Sequence, residues 1–247
     1  MVVCEQASAE SGRSTFREVA ERLRVLVVAG VVVGVLVAGV GSRLAMLLLR
    51  LTSADSVRGL VSDDGFAIGQ VTLGGTYNLL MLGAVVGIIG AAAYRAVAPW
   101  LLGPQWFRRV TTAMGSGVVV GSMLVHADGI DFRVLKPTWL AIGLFVALPA
   151  LFGAVIGPAV DGVSAIGSWT ARGATRWLLP AVLIVLFPMA VPVVVVAALV
   201  LMVWVPARRL IGSRAERVAV GVLARGLWLT IAAVGAVALV ADVMAIV

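Results

Sequence analysis

Charged residues are scarce in this 247-residue chain, at 13% of the total, compared with roughly a quarter in a typical soluble domain. A water-soluble surface needs those charges, so their scarcity excludes an ordinary soluble fold. The net charge of +7 would suggest nucleic acid in a soluble chain, but here the arginines stand in short segments between apolar runs, where they set membrane orientation. We therefore expect no nucleic-acid partner.

Cysteine, histidine and lysine each occur once. Cys4 cannot form an internal disulfide, and His126 alone cannot supply the two axial ligands of a haem b. Lys136 lies at the edge of an apolar run, so no lysine is available inside a span for a retinal Schiff base. These absences predict no cofactor and make an intramembrane enzyme only the third interpretation of the chain.

Long apolar runs dominate the sequence, whose mean hydropathy is +1.11. Each run is long enough, or nearly so, to cross a bilayer as a helix of about 20 residues. The sequence therefore predicts an all-α, polytopic helical transmembrane protein with about six spans in a single domain, 25–247, after a polar N-terminal segment, 1–24, that is a candidate interfacial helix. The predicted spans are 25–49, 77–98, 110–125, 138–160, 177–205 and 218–247.

Membrane orientation should follow the arginines and lysines, which favour the cytoplasmic side. With six spans and the amino terminus inside, nine basic residues fall on each side and Arg43 is unassigned. The fifth span contains Pro180, Pro188 and Pro192, which can kink a helix or break it into a re-entrant hairpin. A hairpin would change the count to fourteen inside and four outside. Both alternatives stay open, and we predict that the amino terminus is inside.

Acidic residues gather in two loops that share one membrane face, because two crossings separate them. The candidate cation or solute vestibule consists of Asp63, Asp64, His126, Asp128 and Asp131. Carboxylate oxygens suit a hard cation such as Ca²⁺ or Mg²⁺, whereas a single histidine argues against zinc or copper. The alternative is that Asp-Gly pairs make solvated turns, with their carboxylates paired to neighbouring arginines. We do not predict a metal site.

Arg43 is the candidate member of an intramembrane ion pair. It lies seven residues before Arg50, so both side chains share one helical face. An arginine this close to hydrocarbon should point into the bundle, with Asp128 or Asp131 as its predicted partner, or snorkel to a headgroup layer.

Pairs of glycine four residues apart occur in each of the first four spans. This spacing lets two helices approach closely in a membrane. It predicts a tight helical core built from spans 1 to 4, with the valine-rich fifth span more peripheral. The candidate packing residues are Gly30, Gly34, Gly83, Gly87, Gly117, Gly121, Gly153 and Gly157.

The leading functional hypothesis is a structural, binding or accessory component of a membrane, without catalysis of its own. The alternative is a small-solute or ion transporter or channel with the acidic vestibule. The expected partners are the lipid bilayer and either another membrane protein or a second copy of this chain. Eighteen of the nineteen basic residues are arginine, a composition typical of GC-rich genomes, which suggests a bacterial inner membrane.

Overall fold

The computed structural model describes residues 2–53, 72–126, 136–210 and 214–246. These residues form helices and contain no strand, which confirms the all-α membrane class. Short 3₁₀ turns lie between several of the helices. The helices are α1 (Val2–Val33), a π-helical segment (Gly34–Val40), α2 (Gly41–Thr52), α3 (Leu73–Val97), α4 (Gln105–Leu124), α5 (Thr138–Ser164), α6 (Thr175–Leu186), α7 (Val191–Leu210) and α8 (Arg214–Ile246).

Five helical stretches are long and apolar enough to cross a membrane, compared with the six spans predicted. They are Ser14–Thr52, Leu73–Trp100, Thr138–Ser164, Pro188–Ala207 and Val220–Ile246. The predicted third span lies in α4, which is not among them because Arg108, Arg109 and several Ser and Thr residues lower its hydropathy. The predicted fifth span is divided into α6 and α7 at Pro188, since proline cannot donate the next helical hydrogen bond.

The polar N-terminal segment and the first span form one rod, because α1, the π-helical segment and α2 follow one another without a break. Predicted to end near Leu49, this rod continues to Thr52. π-Helical turns insert an extra residue into a helix and often occur at functional sites. Here the π-helical segment begins at Gly34, within the glycine contact described next, and ends three residues before Arg43.

The closest approach between helices is that of α1 to α3, at Gly30, Gly34, Gly83 and Gly87. A Cβ added at Gly87 would lie 2.7 Å from the Cα of Gly34, and one added at Gly30 would lie 2.8 Å from the carbonyl oxygen of Gly87. Both neighbours are backbone atoms that cannot move aside as a side chain could. Only glycine therefore allows this crossing.

The second glycine-mediated contact joins α4 to α5. A Cβ added at Gly117 would lie 3.0 Å from the Cβ of Ala150, and one added at Gly121 would lie 3.1 Å from a methyl group of Val146. Gly153 faces Ser116, whose hydroxyl donates a hydrogen bond to the carbonyl of Pro149 at 2.8 Å. The fourth predicted pair ends at Gly157, which faces the ring of Tyr94. The four glycine pairs thus lie at helix contacts within the first four predicted spans.

Helices begin and end at two opposite ends of the bundle, the arginine end and the opposite end. At the arginine end, Arg24 donates to the carbonyl of Val163, Arg95 to the hydroxyl of Ser164 and Arg225 to the carbonyl of Trp100, at 3.3, 3.2 and 3.3 Å. At the opposite end, the Ser53 hydroxyl donates to the carbonyl of Lys136 at 3.1 Å, and one apolar cluster contains Leu49, Val125, Ala141 and Ile246. The α1–α2 rod, α3, α4, α5 and α8 each run from one end to the other.

Helices α6 and α7 enter and leave the bundle at the same end. α6 begins at the arginine end, where Arg176 forms an ion pair with Glu21. Only three residues separate Leu210 from Arg214, and α8 is still at the arginine end when it reaches Arg225. α7 must therefore end there too. This segment is a re-entrant pair rather than a kinked crossing, although the length of α7 alone would suggest a span.

One side of the tip of the re-entrant pair packs against the bundle, while Leu186, Met189 and Val191 are 53%, 51% and 40% exposed. Ala190, 1% exposed, shares a cluster with Val27, Val31, Ala84 and Ile88. The Tyr77 hydroxyl donates to the carbonyl of Leu186 at 3.2 Å, which provides a partner for a backbone group near the turn. The segments that carry fourteen of the nineteen basic residues therefore meet at the arginine end.

Cysteine labelling tests this topology. In a Cys4→Ser background, Ala165→Cys and Gly226→Cys should react alike with a membrane-impermeant maleimide, because both exposed positions lie at the arginine end. Thr72→Cys, exposed at the opposite end, should show the reverse accessibility in intact cells. A single crossing between α5 and α8 would place Ala165 and Gly226 on different sides, and opposite labelling of these two positions would contradict the re-entrant pair.

Candidate functional site

A cavity of about 710 Å³ lies between the α1–α3 and α4–α5 pairs. Its walls come from α2, α3, α4, α5 and α8, and among the described residues most of the lining side chains are aliphatic or aromatic. Sites that bind small ligands in proteins usually measure about 300–1,000 Å³. The space is therefore large enough for a ligand, and its walls favour an apolar one.

The α5 helix packs against both α3 and α4, which form two of the cavity walls. Phe152 of α5 lies against Gly90 of α3, where an added Cβ would lie 2.5 Å from the Phe152 ring. On the other wall Gly115 leaves open space, with nothing within 4 Å of an added Cβ. The cavity is thus unfilled beside Gly115.

The cavity is open to its surroundings along α3. Leu82, Val86 and Ile89 line it, yet they are 46%, 43% and 52% exposed. Leu229 of α8 also lines it and is 72% exposed. In a bilayer, apolar side chains exposed to this degree contact lipid. The rim of the cavity along α3 is therefore apolar.

Hydroxyl groups in the cavity wall make hydrogen bonds to backbone carbonyls. Thr111 donates to the carbonyl of Phe107 at 3.0 Å, Thr112 to that of Arg108 at 2.5 Å, and Ser116 to that of Pro149. These bonds direct the hydroxyls into the helices, so the wall formed by α4 offers methyl and methylene surface. The Ser116 hydroxyl is thus used in helix packing.

Two arginines of α2 provide the charge in the described lining of the cavity. Arg43 and Arg50 both line it, as their spacing of two helical turns requires. Neither Asp nor Glu is among the described residues that line it. Arg43 was predicted either to point into the bundle toward Asp128 or Asp131 or to snorkel to a headgroup layer. Both aspartates lie outside the described residues, so the ion pair stays a prediction.

The acidic vestibule cannot be assembled from the described residues. His126 lies exposed just beyond α4, at the opposite end of the bundle. Asp63, Asp64, Asp128 and Asp131 lie outside the described ranges. The vestibule stays a prediction.

The strongest polar network lies elsewhere, at the arginine end, and the sequence analysis missed it. Arg24, 4% exposed, donates to Glu21 at 3.0 Å, to the Thr170 hydroxyl at 3.1 Å and to the carbonyls of Thr170 and Val163 at 3.2 and 3.3 Å. Glu21 also pairs with Arg176. The spacing of Glu21 and Arg24, three residues apart on one helix, was the available signal, but nothing local indicates the distant Thr170.

This network fastens the connection between α5 and α6 to α1. Its members bind one another and backbone carbonyls, which is the arrangement of a structural clamp, and none of Glu21, Arg24, Thr170 and Arg176 lines the cavity. The cavity with its two arginines is therefore the better candidate for a ligand site. No protein-family model, no curated protein and no solved structure matches this chain.

Proposed function

We propose that this chain is a multi-pass binding protein of a bacterial inner membrane, without catalysis of its own, that holds the acyl chain of a bilayer-derived ligand in its cavity. The open, apolar cavity carries this proposal. Its volume, its aliphatic lining and its exposure along α3 fit a hydrocarbon chain that enters sideways from the membrane. An acyl chain that enters from the bilayer exchanges one apolar environment for another, so its binding depends on van der Waals packing against this lining rather than on the hydrophobic effect.

The same features favour binding over transport of a cation. A path for a polar solute needs polar groups at mid-depth, whereas the hydroxyls along α4 are bonded to carbonyls. Arginines in the lining would also repel a cation. The transporter with an acidic vestibule thus remains an alternative hypothesis that no contact among the described residues supports.

We place the arginine end in the cytoplasm. Basic residues accumulate on the cytoplasmic side of membrane proteins, and the re-entrant pair brings fourteen of them to one end. The polar half of α1 then projects into the same compartment, where a partner protein or a second copy of this chain could bind it. No nucleic-acid partner is proposed.

Filling the cavity should prevent acyl-chain binding. A phospholipid with a diazirine in its acyl chain should label peptides of α3 and α4 in reconstituted wild-type protein, and Gly115→Phe should reduce that labelling several-fold because the ring occupies the open space beside Gly115. Labelled peptides identified by mass spectrometry provide the measurement.

Gly143→Phe is the matched control, since an added Cβ at Gly143 also meets nothing within 4 Å but Gly143 does not line the cavity. The probe should label the α3 and α4 peptides of this variant as strongly as those of the wild type. Equal labelling of the two variants, or wild-type labelling spread evenly over lipid-facing peptides, would refute the proposal.

A further inference from the structure

The two arginines lie toward one end of the cavity. Arg50 is close to the opposite end of the bundle, where its neighbour Leu49 packs with Val125 and Ala141, and Arg43 lies two turns deeper. From there the lining continues along α3 from Leu79 to Val97 and on to Leu101 near the arginine end. At 1.5 Å per residue the α3 part alone spans about 27 Å. The cavity thus has a cationic part and a long apolar part.

A membrane lipid has the same arrangement, with a polar headgroup at one end and long apolar chains at the other. A lipid in the leaflet at the opposite end has its headgroup near that surface, and its chains extend toward the middle of a hydrocarbon core about 30 Å thick. Placed in the cavity in the same orientation, its headgroup reaches Arg50 and Arg43 and its chains follow α3. The ligand therefore does not need to turn over in order to enter.

The two arginines also indicate which headgroup charge the cavity prefers. A guanidinium presents a planar set of donors that matches two oxygens of a phosphate, and the attraction is stronger where water is excluded. Two guanidiniums on one helical face, about 10 Å apart along the axis, favour a headgroup with net negative charge over a zwitterionic one, whose own cation would meet the second arginine.

We infer that the cavity binds a bilayer phospholipid with an anionic headgroup, whose phosphate lies between Arg43 and Arg50. This inference rests on the proposed acyl-chain binding and adds the substrate class. Arginine residues inside membrane bundles face the interior or a cavity and are commonly functional. The simpler alternative is that both arginines only anchor α2, in which case the charge of the headgroup is irrelevant.

The test compares two probes in one protein. Wild-type protein is reconstituted in phosphatidylcholine nanodiscs that contain a trace of diazirine-acyl phosphatidylglycerol or of diazirine-acyl phosphatidylcholine. Cavity peptides should be labelled about tenfold more by the anionic probe, the ratio expected when one charge-assisted interaction is lost. Because this comparison needs no substitution, it does not depend on the folding of a variant.

Variants then locate the effect. Arg43→Gln with Arg50→Gln should bring anionic labelling down to the zwitterionic level, whereas Arg95→Gln, which removes a charge that bonds Ser164 and lies outside the cavity lining, should leave the ratio unchanged. A double variant that does not fold is replaced by Arg43→Lys with Arg50→Lys. This pair keeps the charge but loses the two-oxygen contact, and should give an intermediate ratio.

The outcomes separate this inference from the proposed function. If both probes label the cavity equally and Gly115→Phe suppresses both, acyl-chain binding stands and the headgroup inference is wrong. If neither probe labels the cavity peptides, both the acyl-chain proposal and the headgroup inference are wrong. If the anionic preference persists in the glutamine variant, the preference arises elsewhere and the assignment to Arg43 and Arg50 is overturned.

Discussion

Gly87→Val will lower the melting temperature of the detergent-solubilised protein by more than about 6 °C. The added Cβ would lie 2.7 Å from the Cα of Gly34 and 2.9 Å from the carbonyl carbon of Gly30, so α1 and α3 must separate. Overpacking typically costs about 1–3 kcal/mol where side chains can adjust, and backbone contacts leave less room to adjust. A loss of about 3 kcal/mol corresponds to about 6–12 °C in a chain of this size. Thermal unfolding followed by circular dichroism measures it.

Gly143→Val controls for the effect of valine in a helix, because Gly143 is in α5 with nothing within 4 Å of an added Cβ. Its melting temperature should stay near that of the wild type. Melting temperatures for Gly87→Val and Gly143→Val within 2 °C of each other would contradict the glycine contact between α1 and α3.

Arg24→Met should destabilise the protein by about 2–3 kcal/mol, the usual cost when a hydrogen-bonded charged partner is lost from a buried site. Methionine preserves much of the length of the side chain but leaves Thr170 and the carbonyl of Val163 without their donor. Glu21 keeps Arg176, which limits the loss. Unfolding in graded mixtures of mild detergent and dodecyl sulfate provides the free energy.

Arg22→Met is the matched control for Arg24→Met. Arg22 bonds only with Glu18 among the described residues, at 2.7 Å and one turn away on the same helix, and helix pairs with this spacing contribute about 0.3–0.5 kcal/mol. Arg22→Met should therefore lie within experimental error of the wild type. Equal effects of the Arg22 and Arg24 substitutions would show that Arg24 does not hold the α5–α6 connection.

Apolar periodicity and length predicted the membrane class and most helix positions, since both follow from local composition. The predicted span 138–160 begins at the first residue of α5, and 77–98 covers most of α3. The glycine pairs also lie at helix contacts, because close approach leaves a direct trace in the sequence. These features depend on a few neighbouring residues.

Features that depend on distant residues were not predictable. Pro188 indicated a break in the fifth span, but whether the chain turned back was decided by contacts between Arg176 and Glu21 and between Arg225 and Trp100. Likewise Phe152 of α5 packs against Gly90 of α3 in the wall of the cavity, a pairing that no local pattern encodes. The arginines were identified from sequence, and only the fold connects them with a binding space.

The turn between α6 and α7 constrains the order in which the protein can assemble. A proline-interrupted turn leaves backbone groups that lipid cannot satisfy, and here the Tyr77 hydroxyl and the surface around Ala190 come from helices synthesised earlier. A translocon that releases helices sequentially would therefore need α1 and α3 already joined before α6 leaves it. Loosening the glycine crossing would then impair insertion of a segment about a hundred residues downstream, because the surface against which Ala190 packs would not be assembled in time.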